Sequence, residues 1–293
     1  MIAGNERSLH VIAVPSGAGA QDPRCEEGPA ALIAAGFLDR LAHTGRPLSW
    51  EAIPRPSSEL GRLDAVAEVC AGLAQKTYEA AVAGHLPVIV GGDHAIAVGT
   101  WSGVARALDD RGGLGLLWLD AHMDAHTPDT TPSGALHGMP VAALLGHGFP
   151  ALTRLHGLRP ALLPQHLCLV GIRSFEPGEA ALLARLRVRV VHIDEVRRRG
   201  LGAVVADALN IVGSGTAGFG VSIDLDVFDP LEEPGVGSAA PDGLFRRDLC
   251  EALAPVLRHP NLVGLEIAEY NPYRDADNAT AQAAIALAQL LAT

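Results

Sequence analysis

The stretch LWLDAHMDAH at residues 117–126 decides how this chain reads: an apolar run leads straight into Asp120, His122 and Asp124 on alternate positions. In a strand, successive side chains point to opposite faces, so groups at every second residue gather on one side. GVSIDLDVFDP at 220–230 repeats the logic and delivers Asp224 and Asp226 with the same spacing. Four carboxylates brought together repel one another and resist desolvation unless cations sit among them. A single aspartate after a strand is ordinarily a turn residue or a helix N-cap. Two such sites, one of them carrying a histidine, read together as a metal centre.

Working outward, short apolar runs alternate with longer alanine- and leucine-rich stretches, the pattern of βαβ units around a parallel sheet. Strands are expected at 10–15, 87–92, 115–120, 166–172, 188–193, 218–226 and 262–270. Helices are expected near 29–43, 62–83, 95–109, 178–186, 194–210, 246–257 and 278–292. The strands are continuously apolar, as strands covered on both faces must be. No repeat or long linker interrupts them, so residues 1–293 are expected to form one α/β domain, a three-layer αβα sandwich around a mostly parallel sheet.

Such sheets place function beyond the carboxyl ends of their strands. PVIVGG at 87–92 ends there in Asp93 and His94, and the glycines allow a tight turn that presents His94 at the start of the next helix. Alone, His94 is a helix-start residue; beside two acidic strand ends it becomes a candidate ligand. No G-x-G-x-x-G turn follows an early strand with an acidic partner downstream, and neither a phosphate loop nor a G-x-S-x-G elbow is present.

Composition excludes other classes. The 22 basic and 33 acidic residues leave a formal charge of −11, which argues against a nucleic-acid partner. Cys25, Cys70, Cys168 and Cys250 are scattered without a C-x-x-C pair and read as reduced thiols of a cytoplasmic protein. The N-terminal MIAGNERSLHVIAVP lacks the build of a secretory signal, and no stretch approaches the roughly 20 apolar residues of a membrane span.

Six motifs in order along the chain, EEGP at 26–29, GGDHA at 91–95, DAHMDAHTP at 120–128, SGALHGMP at 133–140, SIDLDVFDP at 222–230 and EIAEYNP at 266–272, resemble the arginase and agmatinase family, the ureohydrolases, in its arginase-like branch. The resemblance implies six metal ligands, His94, Asp120, His122, Asp124, Asp224 and Asp226, holding two manganese ions with Asp120 and Asp224 shared. Four carboxylates, two imidazoles and no thiolate independently suit a hard to borderline divalent ion, with iron, cobalt, nickel and zinc left open. Two ions about 3.5–4 Å apart lower the pKa of a bridging water, and the implied reaction is attack of that hydroxide on a guanidinium carbon with release of urea. By the same resemblance Asp124 passes a proton to the departing amine, His137 shuttles protons to solvent, and Glu269 orients the guanidinium. Glu266 is expected to be structural.

The substrate depends on the loops. Arginases hold the α-carboxylate through an Asn, a Ser and a second Asn, positions that here are His126, Ser133 and Ala135; their Asp for the α-amino group aligns with Glu176. An imidazole can donate to a carboxylate and alanine cannot. L-arginine therefore ranks first as substrate, then another guanidino acid such as guanidinobutyrate or guanidinopropionate, then agmatine or formimidoylglutamate. A non-catalytic metal-binding relative and a one-zinc deacetylase are the alternatives of other kinds. Family members assemble as trimers or hexamers, so a homo-oligomer is expected.

Overall fold

A computed structural model describes residues 7–157 and 159–292. Its centre is one sheet of eight parallel strands: β1 Leu9–Val14, β2 Leu48–Ala52, β3 Leu86–Gly91, β4 Leu114–Leu119, β5 Leu167–Ile172, β6 Arg189–His192, β7 Gly218–Asp224 and β8 Leu262–Ala268. Their spatial order is β2-β1-β3-β8-β7-β4-β5-β6.

Period-two alternation along each strand divides its side chains between two cores. Leu9 and Val11 of β1 pack with Leu32, Phe37 and Leu41 on one face, while Ile12 and Val14 meet Val69, Leu73 and Ile89 on the other. Leu117 and Leu119 of β4 join the first core, and Leu116 and Trp118 join Trp101 and Val104 behind the sheet. The helices Arg62–Val82 and Ala97–Leu108 cover this second face. Leu201–Gly213, Arg246–Leu257 and Ala279–Gln289 cover the first. Each fully buried Leu, Ile or Val contributes roughly 1.5–3 kcal/mol, and an element apolar on both faces has no stable place except between two layers.

The expected α/β sandwich is therefore present, with local corrections. The edge strand β2, LSWEA, is absent from the sequence reading because it carries no apolar run; only two of its positions are even half-buried. The helix expected at 29–43 breaks at Gly36, and the one expected at 194–210 breaks at Gly200 and runs on to Gly213; both glycines have positive φ. The strands expected at 218–226 and 262–270 stop at Asp224 and Ala268. Residues 1–6 of the N-terminal stretch lie outside the described residues. Among the described residues no helix is long and apolar enough to cross a membrane.

Candidate metal centre and substrate cavity

The four central strands, β3, β8, β7 and β4, point their carboxyl ends at one crevice, and each hands it polar groups. After β3 the chain needs glycine, because a Cβ at Gly92 would stand 1.8 Å from the Ser16 carbonyl oxygen. The turn presents Asp93, whose Oδ1 accepts from the Ala95 amide at 3.0 Å, and then His94. Beyond β7, Asp224 Oδ1 accepts from the Asp226 amide at 2.8 Å. Beyond β8, the Glu269 amide donates to the Gly92 carbonyl at 2.7 Å.

Strand alternation does not gather the candidate ligands. β4 ends at Leu119, so Asp120, His122 and Asp124 all lie in the loop that follows. Asp120 Oδ1 accepts from the His122 amide at 2.6 Å, which curls the chain back, and Asp124 turns inward with a φ of 48°. Glu269 is likewise left-handed, at 68°. Such backbone costs on the order of 1–3 kcal/mol at a non-glycine residue and gathers at functional sites.

Two clusters result. His94 Nδ1 lies 3.3 Å from Asp120 Oδ2, 3.2 Å from Asp124 Oδ2 and 3.2 Å from Asp224 Oδ2. His122 Nδ1 lies 2.9 Å from Asp226 Oδ2 and 3.6 Å from Asp120 Oδ1. Asp120 thus contributes one oxygen to each cluster, and Asp224 joins the first. His94 Nδ1 and Asp124 Oδ2 are buried with no hydrogen-bond partner. Orphaned buried donors and acceptors are rare in native proteins, and here they converge where a cation would satisfy them together.

The electrostatics agree. Burial alone would push the His94 imidazole down, but Asp120, Asp124 and Asp224 hold its pKa well above the usual range. Burial and the neighbouring Asp120 push Asp124 up to about 7. Burial and Asp226 raise Asp224 well above the usual carboxylate value. The site without cations must hold protons to relieve its own repulsion, and a divalent ion would replace them. Arg173 feels the charges of Asp226, Asp120 and Asp224, but its guanidinium donates to the backbone carbonyls of Asp226 at 2.7 Å and Phe228 at 3.0 Å and braces the loop.

Beside the clusters, Glu269 Oε1 accepts from the His94 amide at 2.8 Å and pairs with His137 Nδ1 at 3.0 Å. Burial works against the charge on His137, but the carboxylate of Glu269 raises its pKa to about 9. A cavity of about 220 Å³ opens above, with His122, Asp124, Asp224 and Asp226 on its floor and Ser133, Ala135 and Ser174 on its wall. None of the described residues lining it is a lysine or an arginine.

At the rim, His126 Nε2 lies 2.8 Å from Glu176 Oε2 and 3.3 Å from Glu179 Oε2, and its Nδ1 lies 3.2 Å from Thr130 Oγ1. Both ring nitrogens are therefore engaged by the protein. Glu176 and Glu179 form a reciprocal capping box at the start of the helix Pro177–Leu186. Ser133 Oγ accepts from the Ala135 amide at 3.2 Å. Glu179, which burial pushes up to about 8, went unassigned in the sequence, although the Glu-Pro-x-Glu start of that helix is a legible capping signal.

The arginase of Bacillus caldovelox is 35% identical over 291 residues, spanning 96% of both chains. Its crystal structure covers 97% of this chain and 98% of its own with a TM-score of 0.92. An Entamoeba histolytica arginase solved in complex with L-ornithine superposes with a TM-score of 0.90 at 28% identity, over 98% of this chain and 99% of its own. The family model for the arginase family matches residues 7–293, and the chain belongs to that family.

Proposed function

We propose that the protein hydrolyses the guanidinium group of L-arginine to L-ornithine and urea, with two manganese ions bound at the floor of the cavity. The observation that carries this reading is the pair of clusters sharing Asp120, with orphaned ligand atoms aimed at a common point beside the Glu269–His137 pair. His94, Asp120, Asp124 and Asp224 would hold one ion; Asp120, His122 and Asp226, joined by Asp224, would hold the other. The ions supply a water activated near neutral pH.

The chain's own groups do the rest. Asp124, on the cavity floor, takes the proton of the attacking water and hands it to the departing amine. His137, kept protonated by Glu269 up to about pH 9, returns a proton from solvent. Glu269 holds the guanidinium in register through charge-assisted hydrogen bonds. Ser133, Glu176 and His126 meet the far end of the substrate. The protein is expected to act in the cytoplasm as a homo-oligomer.

One observation favours a second reading. Glu176, the group available to an α-ammonium, already holds His126, so a guanidino acid without that ammonium, such as guanidinobutyrate or guanidinopropionate, would leave the rim undisturbed. Purified protein loaded with manganese and offered arginine, guanidinobutyrate, guanidinopropionate, agmatine and formimidoylglutamate separates the readings. Urea from arginine at the highest kcat/KM is the expected result. No turnover of any of them with any divalent metal would sink the hydrolase reading.

A further inference from the structure

Resting on the metal reading, a further role follows from the side of His94 that faces away from the carboxylates. A neutral imidazole can ligate a cation through Nδ1 only if its proton sits on Nε2. His94 Nε2 lies 2.9 Å from Ser222 Oγ, and Ser222 Oγ donates to Glu266 Oε1 at 2.7 Å. Trp101 Nε1 reaches the same Oε1 at 3.2 Å, and an indole N–H can only donate. The carbonyl oxygen of a carboxyl group accepts an N–H far better than its hydroxyl oxygen does, so the indole on Oε1 favours a charged Glu266 or one whose proton sits on Oε2. In both of those states Oε1 is left as an acceptor for Ser222. The single hydroxyl proton of Ser222 is thereby committed to Glu266, its lone pair faces His94, and Nε2 must be the donor.

We propose that Glu266, Ser222 and Trp101 are a tautomer lock: they are positioning residues that hold the proton of His94 on Nε2 and so keep Nδ1 open for the cation of the first cluster. The lock is dry, since His94, Trp101, Ser222 and Glu266 are all 0% exposed, and no water competes for its polarity. Its seat is built into the sheet. A Cβ at Gly220 would stand 2.0 Å from Trp101 Cζ3, so only glycine on β7 admits the indole. From the other side Trp118 stacks on the His94 ring, with centroids 4.2 Å apart and planes 19° apart, while its Nε1 donates to Asp120 Oδ2 at 2.8 Å. The ring is held in plane by one tryptophan and its proton is assigned through the other.

The test measures Mn²⁺ binding to the chelator-stripped full chain without substrate, by competition with a chromophoric chelator, so that catalysis is not the readout. Wild type is expected to bind two ions. Ser222→Ala is expected to loosen one of them about 10- to 100-fold and leave the other, held around His122, unchanged. Glu266→Gln keeps an oxygen for both donors and is expected to stay within about threefold of wild type, whereas Glu266→Met loses the acceptor and should match Ser222→Ala. A role in packing alone would make the Gln and Met variants alike. Thermal melts of the stripped proteins identify a variant that fails to fold, in which case Ser222→Ala, the smaller change, decides. Wild-type affinity for both ions in Ser222→Ala overturns the lock and leaves the metal centre standing. A wild-type chain that binds no Mn²⁺ overturns the metal centre and the lock together.

Discussion

The floor of the cavity and its rim carry the same kinds of residue and treat them in opposite ways. At the floor and just beneath it, Asp124 Oδ2 and His94 Nδ1 are buried without partners, surrounded by carboxylates that burial forces toward protonation. At the rim, His126 spends both ring nitrogens on Thr130 and Glu176, and Glu176 is tied into the cap of its helix. An unsatisfied buried polar group costs roughly 1–3 kcal/mol, so the floor is arranged for something the chain does not itself contain. The rim is satisfied by the protein alone. A ligand arriving at the floor gains contacts outright, whereas one arriving at the rim must displace contacts already made. Reaction type is thus fixed more firmly than substrate choice.

The hardest way to break this contrast is to remove a floor acceptor. Asp124→Asn keeps the shape but can neither take a proton nor offer a full charge to a cation, and activity should fall about 10³-fold or more, measured as urea release at saturating manganese. Near-normal turnover would show that the orphaned oxygen is incidental.

A smaller effect is expected one step from the floor. His137 is held protonated to about pH 9 by Glu269, so a step that needs its proton proceeds below that pH and fades as pH rises through it. His137→Asn should lower kcat about 10²-fold and erase that alkaline limb, read from a kcat-against-pH profile. A limb that survives the substitution belongs to another group.

The contrast also explains what could be read from the sequence. Six of the eight strands announce themselves as apolar runs because both their faces are buried; of the two edge strands, β6 is legible from its valines although only one of its four positions is buried, and β2, with three of its five positions exposed, has no such signature. The candidate ligands at 120–124 and 224–226 are legible as residue types, but their convergence rests on the left-handed turn at Asp124 and on amides captured by Asp120 and Asp224, which spacing alone does not reveal. The rim was the least legible part. The partner of His126 lies 50 residues away on another helix cap, so a histidine that reads as a donor to substrate is found holding Glu176. A comparable separation hides the link between Ser222 and Glu266, 44 residues apart on neighbouring strands.

The smallest expected effect sharpens the comparison most. Ala135 is 4% exposed and lines the cavity wall beside Ser133, where it offers no side-chain hydrogen bond to a carboxylate. Ala135→Asn would add an amide donor without disturbing the pairing of His126 with Glu176. A net hydrogen bond of this kind contributes about 0.5–1.5 kcal/mol, which is roughly a two- to tenfold lower KM for arginine. Because the carboxylate is remote from the reacting carbon, kcat should stay where it is, the signature of uniform binding. Agmatine, which lacks the carboxylate, supplies the control and should gain nothing. A KM that falls equally for both substrates would mean that the new amide fills space without reading charge. A KM that falls for neither would place the carboxylate elsewhere on the rim, at His126, and would require that histidine to leave Glu176 when substrate binds.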